Sequence, residues 1–244
     1  MNVRRTRLRT CEYTICVPNY FDCPCLSTRI YASSSSSSAS NCIPTEIRCP
    51  TSSLSDSTSM STKSQSVLYN LLLERNWTEA LELLEQDPTQ AREWHYGIDE
   101  NSATTTELVL WKRLALHLAC AVAAPIGLVE LLLKIYPQAI DKCDPHNGST
   151  PLHLSCQFGA SVQVVRALLQ ARTALTKAVD VRGRLALHYA VLAAAPYPTI
   201  ELLVQHDPAS ALCPDQDGKT PLQYAHYVYP SGSHIMGFLE TVWI

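Results

Sequence analysis

From Ser66 onward, apolar residues recur at helical spacing. In SVLYNLLLERN, Leu68, Leu71 and Leu72 fall on one face. In WTEALELLEQDP, Ala80, Leu81, Leu83 and Leu84 do the same. Trp77-Thr78-Glu79 opens this second stretch, Asp87-Pro88 closes it, and Arg75-Asn76 is a tight connection. The pattern predicts a helix–turn–helix unit over residues 66–93. Residues 94–110, WHYGIDENSATTTELVL, lose the period and read as a long insertion or loop. Upstream, residues 1–65 keep neither a helical nor a strand period. Their Ser-, Thr-, Pro- and Arg-rich composition, with six serines at 33–38, buries too little apolar area to offset chain entropy, so a disordered tail is expected.

Downstream the pattern repeats. The segments 112–147, 148–182, 183–217 and 218–244 align, with Gly148, Gly183 and Gly218 spaced 35 and 35. His117, His153 and His188 are spaced 36 and 35, and Gln223 stands where the next histidine would fall. Aliphatic clusters follow the histidines: Leu128-Val129-Leu131-Leu132, Val164-Val165-Leu168-Leu169 and Ile200-Leu202-Leu203. Each unit thus predicts two short helices.

Turn chemistry punctuates the units. Asp180-Val-Arg-Gly183 and Asp215-Gln-Asp-Gly218 are turn sequences in which glycine can take positive φ. Thr150 and Thr220 stand at N-cap positions, and Pro151 and Pro221 follow at the first helical position, where no N–H is needed. GSTPLHLSCQFG and DGKTPLQYA resemble the G-x-T-P-L-H-x-A signature of ankyrin repeats. The AAP breaks at 123–125 and 194–196 resemble microalgal arrays of that family. The resemblance covers residues 112–244 in four units, with 66–93 as a degenerate first unit. It implies an all-α solenoid of stacked antiparallel helix pairs with projecting hairpin-like loops, in which the motif histidine bonds the capping threonine and neighbouring backbone.

Two units depart from the signature. Arg113-Leu114-Ala115 and Arg184-Leu185-Ala186 replace the S/T-T-P triplet, so His117 and His188 need other partners. A lost N-cap predicts helix starts weaker by about 1 kcal/mol each. Lys112 replaces the turn glycine of its unit, and Asp144-Pro-His-Asn-Gly148 is one residue longer than its counterparts.

The pairs His117/Cys120 and His153/Cys156 have a spacing that zinc sites also use. They follow the architectural period, and the third and fourth copies carry Val191 and His226 at the cysteine position. This favours buried packing over a metal site, with cysteine as a small hydrophobe. No G-x-S-x-G, phosphate loop or H-E-x-x-H occurs, so neither an enzyme nor a cofactor is expected. The net charge is -3, made of +3 over residues 1–65 and -6 over 66–244, which argues against nucleic-acid partners. The apolar stretch 115–133 is interrupted by His117, Pro125, Gly127 and Glu130, and reads as two buried helices rather than a membrane span. Of ten cysteines, six precede residue 50, with no apolar signal run beside them; an intracellular, cytoplasmic or nuclear setting is expected. Residues 1–65 also fit an organelle transit peptide or a translated stretch upstream of a start at Met60.

The resemblance implies a non-catalytic scaffold that binds a protein through its concave face and loop tips. The alternative is a regulatory or targeting subunit of an enzyme or channel whose catalytic part lies in another chain. The polar junction residues Lys142, His146, Lys177, Arg182 and Gln216 are the candidate contacts. At the C-terminus, Ile235, Phe238, Leu239 and Val242 share a buried stripe. Trp243 and Ile244 fall off it, which points to an apolar end able to self-associate or dock a partner.

Overall fold

The computed structural model describes residues 66–98 and 109–241. Their helices, in chain order, are α1 (Val67–Leu73), α2 (Trp77–Gln86), α3 (Ala115–Ala121), α4 (Ile126–Ile135), α5 (Pro151–Gln157), α6 (Val162–Ala171), α7 (Ala186–Leu192), α8 (Tyr197–His206), α9 (Pro221–Val228) and α10 (His234–Thr241). The odd-numbered helices stack side by side as an inner row, and α2, α4, α6 and α8 stack behind them. Neither row buries its apolar stripe alone. Their leucines, among them Leu72, Leu116, Leu152, Leu168 and Leu187, interlock into one core running from Leu68 to Leu239. The helical solenoid is the architecture expected.

Helices α1, α3, α5 and α7 are short because each ends in a left-handed residue. Arg75, Ala123, Gly159 and Ala194 have φ of 58°, 55°, 70° and 51°. In each case the next N–H reaches back five residues: Asn76 to Leu71, Ala124 to Ala119, Ala160 to Ser155 and Ala195 to Ala190, at 2.8–2.9 Å. This closure turns the chain from the inner to the outer helix. The first alanine of each AAP therefore does a glycine's job, against a cost of about 1–2 kcal/mol for a residue with Cβ.

Residues 94–98 and 109–110 correct the loop expectation, and residues 99–108 lie outside the described residues. Trp94–Ile98 (β1) and Val109–Leu114 (β2) pair antiparallel, with Trp94 opposite Leu114 and a bulge between Gly97 and Ile98. WHYGI and VLWKRL are aromatic- and β-branched-rich, a strand composition that a search for helical period passes over. The hairpin stands where later units have tight turns. Its end is fixed to the next one: the Lys112 N–H and Arg113 Nε both donate to the Asp144 carboxylate, at 3.4 and 3.2 Å. The expectations for residues 1–65 lie outside the described residues. No helix among the described residues is long and apolar enough to cross a membrane.

Candidate functional site

The unit junctions form a row of turns locked edge to edge. Gly148, Gly183 and Gly218 adopt φ of 68°, 72° and 72°. Asp144, Asp180 and Asp215 each accept the N–H two residues on, from His146, Arg182 and Asp217. Between turns, the Val181 N–H donates to the Asn147 carbonyl and the Gln216 N–H to the Arg182 carbonyl, both at 2.9 Å. The Gln216 amide adds a bond to the Val181 carbonyl, also at 2.9 Å. A Cβ on Gly148 would lie 3.1 Å from the Val181 nitrogen, so close lateral approach, as well as φ, selects glycine there.

Behind the turns, the motif histidines hand each unit to the next. Thr150 caps α5, its hydroxyl accepting from the His153 N–H. His153 Nδ1 accepts the Thr150 N–H at 3.1 Å and its hydroxyl at 2.8 Å, which leaves Nε2 protonated to donate to the Arg184 carbonyl at 3.0 Å. His188 repeats this, accepting from the Leu185 N–H and reaching the Lys219 carbonyl. His117 reaches the Lys142 carbonyl at 2.9 Å, but its Nδ1 has no partner among the described residues. Its N-cap, Leu114, ends a β-strand. Gln223, exposed in the last unit, accepts the Thr220 N–H at 3.0 Å and completes that cap. Burial keeps the rings neutral: it pushes His117 down to about 3 and His188 to about 4, and lowers His153. An aromatic ring lies against each, Trp94 on His117, Tyr189 on His153 and Tyr224 on His188.

The arginines of the two degenerate units were not singled out from sequence. Arg113 pairs with the buried Asp144, and Arg184 pairs with the buried Asp215 at 3.3 Å, each 31 residues away in the next turn. Ser149 stands at the repeat position of Arg113 and Arg184, and Asp180 takes a bond from the Tyr189 hydroxyl at 2.6 Å. Asp215 has both devices, with the Tyr224 hydroxyl at 2.8 Å. Burial raises the Asp215 carboxyl, but the Lys219 N–H, the Tyr224 hydroxyl and the Arg184 guanidinium outweigh it and hold the group below the ordinary carboxylate range. Burial and Asp215 push the Tyr224 hydroxyl up to about 12.

In the same units the missing cap bonds are set against burial of the residue that stands at the cap. Leu114 and Leu185 make no side-chain cap bond, yet both are buried. Burying a leucine contributes about 1.5–3 kcal/mol, more than the cap it replaces. The H-x-x-C cysteines are core: Cys120 and Cys156 are buried free thiols, and burial raises both, Cys156 to about 12. His117 Nε2 and both His153 nitrogens are committed to backbone and cap.

The five candidate contacts divide. His146, Arg182 and Gln216 are exposed on consecutive turn tips. The Lys142 side chain is exposed at the base of its turn, while its carbonyl serves His117. Lys177 takes the place of Asp141, whose carboxylate holds Arg172 at the end of α6 at 3.0 Å, so it belongs with the outer helix ends.

Beside the turns, the inner helices present an uncharged face. No Asp, Glu, Lys or Arg occurs in α3, α5, α7, α9 or the turns that close them. Ala121, Gln157, Leu192 and Tyr227 form one row along the repeat, and Val122, Phe158, Ala193 and Val228 form another; none is fully buried. Phe158 is 41% and Tyr227 67% exposed. At the far end, Met236 and Leu239 are buried and Ile235 and Phe238 partly so; Val242, Trp243 and Ile244 lie outside the described residues.

A family model described as ankyrin repeats matches residues 116–207 in three copies. No curated protein matches the chain.

Proposed function

The chain belongs to the ankyrin-repeat family through its residues 116–207, and from that premise we propose that it binds a protein partner along its turn tips and inner helical face. Ankyrin repeats are, as a class, protein–protein interaction modules and typically non-catalytic. The observation that carries the finer reading is the lateral bonding of the turns, Val181 to Asn147 and Gln216 to Arg182. A partner meeting His146 and Arg182 finds side chains on a braced backbone, which lowers the ordering cost of association. The uncharged inner face beside them supplies apolar area without buried charge.

The test is site-directed photocrosslinking in the full chain, with a photoreactive residue at His146, at Phe158 or at Arg166 on the exposed side of outer helix α6. Specific adducts from the first two positions and none from Arg166 support the reading. Adducts confined to Arg166 would place the partner on the outer helices and overturn it.

A further inference from the structure

Resting on that reading, we infer that the partner segment is acidic as well as apolar: it lays apolar side chains into the inner face and carboxylates against the turn row. Charge is unevenly distributed over the domain. Residues 66–244 are acidic overall, yet Glu79, Glu82 and Glu85 of α2, Glu130 of α4 and Glu201 of α8 lie on outer helices. The inner face made by α3, α5, α7 and α9 has no Asp, Glu, Lys or Arg. Along the turn row, Asp144, Asp180 and Asp215 are buried beneath the surface, bonded by their own turns and by Arg113, Tyr189, Arg184 and Tyr224. What the row shows to solvent is mainly basic: Lys142 is exposed, and Lys219 stands 5.6 and 5.4 Å above the Tyr224 and Tyr227 rings. The exposed acids beside them are held by arginines: Asp141 lies 3.0 Å from Arg172 and Asp217 3.7 Å from Arg184. A cationic border on an acidic domain does not follow from composition. It is a local field next to an uncharged apolar strip.

The inner face and border therefore ask for two things at once. Val122, Phe158, Leu192 and Tyr227 offer area to aliphatic or aromatic side chains. Lys219 shows how a cation rests on the tyrosine pair with no carboxylate of its own among the described residues, and an incoming carboxylate would complete it. A basic segment meets Lys142 and Lys219 as like charges, and rejection of basic partners is as much a part of this surface as attraction of acidic ones.

The experiment uses the full chain and three fluorescein-labelled peptides in which Leu and Phe alternate with Glu, with Gln or with Lys, read by anisotropy. The Glu peptide should bind about tenfold tighter than the Gln peptide, with the Lys peptide weakest, and should weaken as salt is raised from about 50 to about 200 mM. Two double variants change net charge equally: Lys142→Glu/Lys219→Glu on the turn row, and Lys134→Glu/Arg166→Glu on the outer helices. The first should lose about tenfold in affinity for the Glu peptide and the second less than about twofold. Equal losses from the two would make the attraction one of net charge and overturn the proposal. Failure of all three peptides to bind below about 1 mM overturns it too, whatever the crosslinking shows. Equal binding of Glu and Gln peptides, both weakened by Phe158→Ser, would overturn the acidic class while leaving the inner face as the binding site.

Discussion

Arg113 donates from Nε to Oδ2 of Asp144 across 3.2 Å, and both residues are buried. Removing the guanidinium leaves a carboxylate inside the protein with two backbone N–H donors, from Lys112 and His146. Breaking one side of a buried pair costs about 3–5 kcal/mol, so Arg113→Ala should lower urea stability by about 3 kcal/mol. Arg184→Ala should cost less, because Asp215 keeps the Tyr224 hydroxyl and the Lys219 and Asp217 N–H groups. An Arg184→Ala loss equal to or larger than that of Arg113→Ala would show that the compensating hydroxyl is unimportant.

Ala123 and Ala194 hold the left-handed backbone that Gly159 holds in the unit between them. Glycine relieves the Cβ strain, partly offset by the greater freedom it gives the unfolded chain. Ala123→Gly and Ala194→Gly should each stabilise by about 0.5–1 kcal/mol, seen as a rise in denaturant midpoint at unchanged slope. Gly159→Ala should do the reverse. Destabilisation by both glycine substitutions would show that helix continuity, not φ, limits these turns.

Leu185→Thr tests the degenerate motif directly. It restores the capping residue seen at Thr150, and a propensity argument alone predicts a gain of about 1 kcal/mol. Leu185 is buried, however, so the loss of its packing should win and the variant should be less stable by about 1–2 kcal/mol. A rise in thermal midpoint would mean that the cap outweighs the packing.

Stability should also fall with acid. His95, His117 and His188 are held by burial near 4, 3 and 4, and His153 is lowered as well. Each binds a proton in the unfolded chain below about pH 6.5 that the folded chain refuses, so unfolding is favoured as pH drops. The stabilisation is complete above that value and is lost as pH falls from about 6.5 to about 4 for His95 and His188 and to about 3 for His117, at about 1.4 kcal/mol per pH unit for each of the three. Urea titrations at half-unit intervals measure the slope. A flat profile across that window would mean that the rings are reached by water or paired when protonated.

How much of this was legible in the sequence depends on distance along the chain. Gly148, Thr150, Pro151 and His153 were readable because a turn, a cap and a first helical position each demand a local residue type. The pairing of Arg113 with Asp144 was not, because the two meet only once a whole unit has been stacked between them. The hairpin was missed for a different reason: its strands are short and the helical period carries no signal for them. Of the candidate contacts, polarity and position near a turn found His146 and Arg182. Neither criterion could separate Lys177, which differs from them only in which end of the stack it faces.

The histidine handover has a mechanical consequence. His117, His153 and His188 each anchor their unit to backbone belonging to the next turn, while Gln223 closes its own cap and grips nothing further among the described residues. Load applied along the stack thus meets a series of three histidine latches, the first lacking, among the described residues, the Nδ1 bond of the other two, that gives out at α9. Under traction, α9 and α10 should let go first, and the rest should follow in steps of one repeat, each release exposing the latch that fails next.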